Sequence, residues 1–255
     1  MKTIHRILDP GVPDPSASGR CALAVMTKAP RAGQVKTRLV PPLTSDEAAK
    51  LNVCFLRDTT ATIAVATGEI GRRVAVYTPV GAEEAYINIL PSSFELVPQR
   101  GDKFGERLAC ATYDLFQLGF QSICLIDSDS PTVPAKVYAE AARLLSNTGD
   151  RIVLGPADDG GYYLIGMKQN HRRLFEGIDW STERVLDQTI QRAAELNLPV
   201  ESLPTFYDVD DGATLRRLCD ELLGQNVNVD VAPETRKFLG EIIRCEGRDR
   251  IWPAL

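Results

Sequence analysis

Two aspartates separated by one residue stand where a buried strand is predicted to end. Residues 123–126 are apolar without a break, which predicts a strand buried on both faces of a parallel sheet. Asp127 and Asp129 follow it directly. Ligands bind at the carboxyl ends of strands in open α/β sheets, and carboxylate oxygens there favour Mg²⁺ or Mn²⁺ with positions left for phosphate. The alternative is a polar turn in which one aspartate caps the next helix.

A basic loop, residues 27–39, follows the first predicted strand, residues 21–26. Converging Lys and Arg side chains, with backbone N–H groups near a glycine, are suited to binding phosphate. The glycine spacing fits neither the P-loop nor the dinucleotide-binding fingerprint. The loop therefore predicts a nucleotide-phosphate site, and its alternative is a solvated basic loop. The candidate phosphate-binding residues are Lys28, Arg31, Gly33, Lys36 and Arg38.

Two later loops add glycines and further carboxylates. Residues 155–166 have the pattern of strand, tight loop and strand, with Asp158-Asp159-Gly160-Gly161 in the loop. The two glycines permit a positive φ or a close approach to a ligand, but they are also ordinary hairpin residues, so both interpretations stay open. Residues 208–211 then place three carboxylates before a helix, and Asp211 is predicted to be its N-cap.

The elements that must position these loops alternate between strand and helix up to residue 154. This alternation predicts a three-layer α/β/α fold with a right-handed, mostly parallel, Rossmann-like sheet. Later helices are predicted from Trp180 to Leu196 and over about 233–244. The Pro- and Gly-rich residues 1–19 are predicted to be a flexible extension, residues 20–224 the α/β domain, and residues 225–255 a helical extension packed on it.

Composition excludes several classes of protein. The chain has 255 residues, of which 44% are hydrophobic and 25% charged, and its net charge is −5, with no sign of a nucleic-acid or membrane surface. We expect no membrane span and no signal peptide. The six cysteines form no Cys-x-x-Cys pair, which predicts reduced core residues of a cytoplasmic protein. The two histidines are isolated in sequence, which argues against a histidine-based zinc or acid–base site.

Four blocks resemble the GT-A superfamily of nucleotide-diphospho-sugar transferases, and more closely the bacterial radical-SAM/selenodomain-associated transferase family. The likeness spans roughly residues 22–223 and implies a GT-A-like domain over 20–224. It implies that the 28–38 loop holds nucleotide phosphates and that Asp129 and Asp210 hold Mg²⁺ or Mn²⁺ from two sides. The family usually has Gly in place of Asp127 and Cys in place of Ser130, so Asp127 is a candidate metal ligand by its position alone. The blocks are residues 28–39, 127–131, 155–163 and 208–210.

The resemblance implies a metal-dependent glycosyltransferase that moves a sugar from a nucleotide-diphosphate sugar to a small-molecule acceptor. Asp158 or Asp159 would act as general base or bind the sugar, beside Gly160, Gly161 and Tyr162. For Tyr162 and Tyr163 the alternative is a strand start with one ring in the core. The alternative functions are a nucleotidylyltransferase, which joins a nucleoside triphosphate to a phosphorylated substrate with release of pyrophosphate, and a non-catalytic nucleotide-binding module.

Overall fold

A computed structural model describes residues 4–68, 71–225 and 227–252, which are built on a central seven-stranded sheet. Its order is β3-β2-β1-β4-β6-β5-β7. Strand β6 is antiparallel to its neighbours β4 and β5, and every other neighbouring pair is parallel. The strands are β1 (Cys21–Lys28), β2 (Gly71–Thr78), β3 (Glu95–Pro98), β4 (Ser122–Ile126), β5 (Ile152–Pro156), β6 (Tyr162–Met167) and β7 (Val200–Ser202).

Helices cover both faces of this sheet, so the predicted three-layer α/β/α class is confirmed. Leu56 of α1 and Tyr138 of α3 lie in the core on one face. Leu115 of α2 and Ala193 of α4 lie in the core on the other. In the described parts of the chain, no helix is both long and apolar enough to cross a membrane. The helices are α1 (Ser45–Thr67), α2 (Phe104–Gln117), α3 (Ala135–Ser146), α4 (Val185–Glu195), α5 (Gly212–Leu223) and α6 (Pro233–Glu246).

Helix α1 also organises a third core with α5 and α6. It begins with a capping box, in which Thr44 Oγ1 accepts the Glu47 N–H at 3.2 Å and the Glu47 carboxylate accepts the Thr44 N–H at 2.8 Å. Further along α1, the buried Asp58 carboxylate accepts the N–H groups of Glu234 and Thr235 at 3.0 and 2.9 Å. One side chain of α1 therefore satisfies two donors at the start of α6, where a helix lacks its own acceptors.

The segment before β1 is not a flexible extension over its described residues. Leu8 N–H donates to Leu96 O at 2.8 Å, and Leu96 N–H donates to Arg6 O at 2.9 Å, so the segment pairs with the outer edge of β3. Leu8 and Ala17 are buried. The prediction weighed only the prolines and glycines, whereas backbone pairing and apolar burial hold this segment. The division into one domain and two extensions stays a prediction.

The helix predicted to open at Trp180 begins later, at Val185. Ser181 has a φ of +65°, which is incompatible with a right-handed helix. Residues 180–184 instead form a turn that precedes α4. Leu186, the second residue of α4, donates its N–H to Gly160 O at 2.8 Å. This turn is thereby held against the β5–β6 loop.

Candidate functional site at the carboxyl edge of the sheet

Loops from four parts of the chain meet at the carboxyl edge of β1 and β4. Val209 N–H donates to Asp129 O at 3.0 Å, which fixes the loop before α5 to the loop after β4. Asp127 N–H donates to Tyr163 O at 2.9 Å, and Asp158 N–H donates to Phe206 O at 3.0 Å. Backbone hydrogen bonds therefore set the positions of the predicted acidic residues relative to one another.

Three oxygens in this group of loops converge on one ammonium. Lys36 Nζ lies 2.9 Å from Asp129 Oδ1 and 2.9 Å from Asp210 Oδ1. It also donates to Val209 O at 2.8 Å. The structure thus brings together the two aspartates that the resemblance assigns to a metal, and it places a loop lysine between them.

Lys36 is held firmly in this position. Its side chain is only 4% exposed, and Nζ lies 5.5 Å from the centre of the Phe55 ring. Burial opposes the charged form, but the carboxylates of Asp129 and Asp210 outweigh it and raise the pKa of Lys36. The backbone of Lys36 is left-handed, with φ +49° and ψ +38°, a conformation that residues other than glycine rarely adopt.

The donor set of this cluster suits a hard divalent cation. Two carboxylate oxygens and one carbonyl oxygen already surround a single positive charge, and Mg²⁺ and Mn²⁺ prefer oxygen ligands. Within the described ranges, no three His, Cys, Asp or Glu side chains are grouped closely enough to hold a metal by themselves. Any cation bound here would therefore depend on ligands besides carboxylates, such as the carbonyl or a phosphate.

Asp127 makes different contacts from this pair. Its Oδ2 accepts a hydrogen bond from Ser130 Oγ at 2.8 Å, and its buried Oδ1 has no hydrogen-bond partner among the described residues. Burial, and then the negative charge of Asp129, raise the pKa of Asp127 well above its ordinary value. These surroundings oppose the charged form of Asp127, which is the form that binds metals. Its assignment as a metal ligand stays a prediction.

Two cavities share Asp129, Asp210 and Arg38 in their walls. The smaller, here called the basic cavity, has a volume of about 270 Å³ and is also lined by Lys28 and Lys36. Lys28 Nζ donates to Gln34 O at 3.0 Å, which closes the loop on itself. Three of the five predicted phosphate-binding residues thus line one cavity. Arg31 and Gly33 are exposed in the turn beyond it.

The larger cavity, here called the main cavity, has a volume of about 530 Å³ and two chemically distinct groups of lining residues. One group consists of the carboxylates of Asp127, Asp129, Asp159, Asp208 and Asp210. The other is apolar and aromatic and consists of Phe104, Leu108, Tyr162, Ile165 and Trp180.

Phe104 and Trp180 are site residues that sequence reasoning missed. Their rings stand edge to face with centroids 5.0 Å apart, and Phe104 is 57% exposed. Gly105 makes this arrangement possible, because a Cβ there would lie 2.5 Å from Trp180 Nε1. The one available signal was a tryptophan in a segment otherwise rich in polar residues.

Asp208 is a third residue that the predicted site omitted. It is half-buried in the wall of the main cavity. Burial, followed by the charges of Asp159 and Asp210, raises the pKa of Asp208 to about 6. The Asp208-Val209-Asp210 spacing contained this signal, since alternate residues of an extended segment point to the same side. By contrast, Asp211 caps α5 as predicted, with Oδ1 accepting the Thr214 N–H at 2.9 Å.

The two aspartates of the β5–β6 loop, both predicted as candidate bases, make different contacts. Asp158 forms an ion pair with Arg217, which stacks 3.7 Å from the centre of the Tyr207 ring. Asp159 lines the main cavity and accepts the Gly161 N–H at 2.8 Å. The structure therefore separates the two candidate bases, and only Asp159 faces the main cavity.

The two glycines and two tyrosines of this loop also differ. Gly160 has a φ of +89°, one of the two possibilities that the sequence left open, while Gly161 lines the main cavity. Tyr162 lines the same cavity. Tyr163 is buried and its hydroxyl donates to Pro204 O at 2.8 Å, so the predicted core ring is Tyr163.

Solved structures identify the class of fold. A proposed nucleotide-diphospho-sugar transferase from Desulfovibrio desulfuricans G20 is 28% identical, with a TM-score of 0.77 over 89% of this chain and 96% of that one. A CMP:2-keto-3-deoxy-manno-octonic acid synthetase complexed with CTP has a TM-score of 0.50 at 8% identity, over 82% of this chain and 100% of that one. A cytidylyltransferase from Leptospira borgpetersenii serovar Hardjo-bovis (strain JB197) has a TM-score of 0.50 at 10% identity, over 92% and 98%. The chain therefore shares a GT-A-like α/β fold with these proteins.

A family described as "uncharacterized protein conserved in bacteria (DUF2064)" matches residues 60–182 of the chain. This match includes the Asp127–Asp129 loop and the β5–β6 loop. No curated protein matches the chain. The expected association with radical-SAM proteins stays a prediction.

Proposed function

We propose that this protein is a metal-dependent glycosyltransferase that uses a nucleotide-diphosphate sugar. The observation that carries the proposal is the pair of cavities that share Asp129 and Asp210. The basic cavity has the charge and size to hold a diphosphate, with Lys28 and Arg38 as donors. The main cavity includes the same aspartates and is also lined by further carboxylates and aromatic rings, which suit a sugar and its acceptor.

In this proposal Asp129 and Asp210 hold Mg²⁺ or Mn²⁺ at the boundary between the cavities. The bound cation would neutralise the diphosphate and the charge that develops on the leaving nucleotide. Arg38 lines both cavities and would orient the same diphosphate from the other side. Charge therefore accumulates on the leaving group where the chain concentrates its cations.

Asp159 is the residue we assign to the acceptor. It is exposed at the wall of the main cavity and is oriented by the Gly161 N–H. A carboxylate placed there can accept the proton of an acceptor hydroxyl or hydrogen-bond the sugar. Asp158 is not assigned a chemical role, because its ion pair with Arg217 draws it towards α5.

The aromatic lining of the main cavity supports sugar transfer over nucleotidyl transfer. Tyr162 and Trp180 line this cavity, and aromatic rings of this kind pack on the apolar faces of sugars. A nucleotidylyltransferase is the second candidate, and the three cations of the basic cavity favour it, because they suit a triphosphate as well as a diphosphate. The two candidates differ in the bond that breaks and therefore in the product.

The test is to identify the products formed with Mn²⁺ from two sets of substrates, nucleotide sugars and nucleoside triphosphates. We expect slow hydrolysis of at least one nucleotide sugar to free sugar and nucleoside diphosphate, even without the natural acceptor. Asp129→Asn should abolish it, and Asp158→Asn, the matched change at a residue outside both cavities, should not. Pyrophosphate released from a triphosphate with no turnover of any nucleotide sugar would establish the second candidate instead. Nucleotide binding without any turnover would identify a binding module.

A further inference from the structure

We infer that Lys36 is an exchangeable counter-cation, which keeps Asp129 and Asp210 together until a complex of a divalent cation with a diphosphate displaces it. This inference rests on the proposed metal and nucleotide site, and it states which form of the metal that site binds best. The complex binds well because it brings an anion for the displaced ammonium, whereas the free cation brings none and binds weakly.

The ammonium and a divalent cation cannot occupy the cluster together. Nζ already lies within 2.9 Å of all three oxygens of Asp129, Asp210 and Val209. A cation bound to the same oxygens at about 2.1 Å would fall close to the position of Nζ, where both repulsion and volume forbid it. Binding of the metal therefore requires Lys36 to leave.

A destination for Lys36 lies beside the cluster. Its side chain also lines the basic cavity, together with Lys28 and Arg38. The flexible four-carbon stem of lysine allows the head group to move while the backbone stays in place. A diphosphate in the basic cavity would receive the ammonium there, so the hydrogen bonds lost at the carboxylates are replaced by hydrogen bonds to phosphate.

Two structural features oppose the release of Lys36 from the carboxylates. The left-handed backbone at Lys36 directs the side chain inwards, and the 4% exposure leaves almost no contact with water. Without this ammonium, the charges of Asp129 and Asp210 would face each other unbalanced. A free cation must therefore displace the ammonium without giving it a new partner, whereas in the complex the phosphate binds the displaced ammonium.

The test measures the affinity of the full chain for Mn²⁺ alone and for Mn²⁺ with pyrophosphate, by calorimetry. Lys36→Met removes the competing ammonium and keeps the length of the side chain. We expect this variant to bind Mn²⁺ alone more tightly than wild type by about tenfold or more, because charge-assisted hydrogen bonds no longer have to be broken. Its affinity for Mn²⁺ with pyrophosphate should fall. Arg31→Met, which removes one positive charge from the exposed part of the same loop, should bind Mn²⁺ alone within about twofold of wild type.

A second measurement uses wild-type protein and so does not depend on the folding of a variant. Reductive methylation, read by mass spectrometry, should modify Lys36 slowly compared with the exposed Lys28. Saturating Mn²⁺ alone should accelerate modification of Lys36 relative to Lys28 several-fold, because displacement exposes the amine.

The outcomes separate this inference from the proposed function. If wild type binds Mn²⁺ with pyrophosphate but Lys36→Met binds Mn²⁺ alone no more tightly, and the methylation rate does not change, the exchange is refuted and the metal site stands. If wild type binds neither Mn²⁺ nor its complex with pyrophosphate, both proposals are wrong. Tighter binding of Mn²⁺ alone by Lys36→Met, with faster methylation in wild type, supports the exchange.

Discussion

Gly160→Ala tests how the β5–β6 loop is held against the turn that carries Trp180. Gly160 has a φ of +89°, and a Cβ at this position would lie 2.1 Å from the Glu183 carbonyl oxygen and 2.5 Å from Glu183 Cα. These are backbone atoms, so no rotation of a side chain relieves the contact. Gly160 O also accepts the Leu186 N–H at 2.8 Å, and separation of the two segments would break this bond.

The expected loss of stability follows from two contributions. A left-handed backbone costs a residue with a Cβ about 1–2 kcal/mol. Forcing a methyl group into a filled site costs about 1–3 kcal/mol more. We therefore expect Gly160→Ala to lower the free energy of unfolding by about 2–5 kcal/mol, which for a chain of this size corresponds to a fall in Tm of roughly 4–20 °C.

Gly161→Ala is the matched control in the same loop. Its Cβ would meet the Asp159 carboxylate oxygen at 3.1 Å, and that side chain can rotate away. Urea unfolding followed by circular dichroism would compare both variants with wild type, and we expect Gly161→Ala to stay within about 1 kcal/mol of it. Equal losses in the two variants, or a stable Gly160→Ala protein, would refute the reasoning.

Three further predictions concern the cap, the interhelical contact and the aromatic wall. Hydrogen bonds from Arg250 are the first of the causes that lower the pKa of Glu47 from 4.5 to about 2. The stability that the charged Glu47 gives to the fold is therefore complete above pH 4.5 and is lost as the pH falls towards 2. Glu47→Gln should therefore lower the free energy of unfolding by about 1 kcal/mol at pH 7 and by almost nothing near pH 2; a loss independent of pH would contradict this. Asp58→Ala should cost about 1–2 kcal/mol and speed hydrogen exchange at the start of α6, since two N–H groups lose their acceptor; unchanged exchange in α6 would show that the contact does not hold that helix. Once an acceptor is identified, Trp180→Ala should raise its KM roughly tenfold or more through lost apolar contact and leave hydrolysis of the nucleotide sugar within about twofold; an equal loss in both reactions would show that Trp180 does not face the acceptor.

Much of the fold was predictable because its signals are local. The uninterrupted apolar run at residues 123–126 predicts a strand covered on both faces, and β4 lies in the interior of the sheet between β1 and β6. The Thr44–Glu47 capping box and Gly68, which stand at the two ends of α1, are local signals of the same kind. The rule that ligands meet the carboxyl ends of strands then places the 28–38 loop beside Asp129, as found.

The parts that were missed depend on contacts between distant residues or on single backbone angles. Lys36 points at the carboxylates because its φ is positive. A positive φ at a lysine cannot be predicted from the residue type. The wall formed by Phe104 and Trp180 depends on Gly105, which lies beside Phe104 in α2 and leaves room for a ring from a distant segment, so neither segment predicts it alone. The sequence predicts that a helix begins at Trp180, whereas the left-handed Ser181 delays its start to Val185.

The pairing of residues 6–8 with β3 bears on how the molecule behaves at high concentration. An uncovered edge strand offers a row of free N–H and C=O groups to any other chain, and it is a common starting point for aggregation. Here the backbone of Leu96 is already occupied by Arg6 and Leu8. At the opposite edge, β7 has only three residues, which is too short to recruit a partner strand readily. Residues 6–8 therefore protect the edge of the sheet from pairing with other chains. A shortened chain that begins at β1 would expose the β3 edge and aggregate more readily.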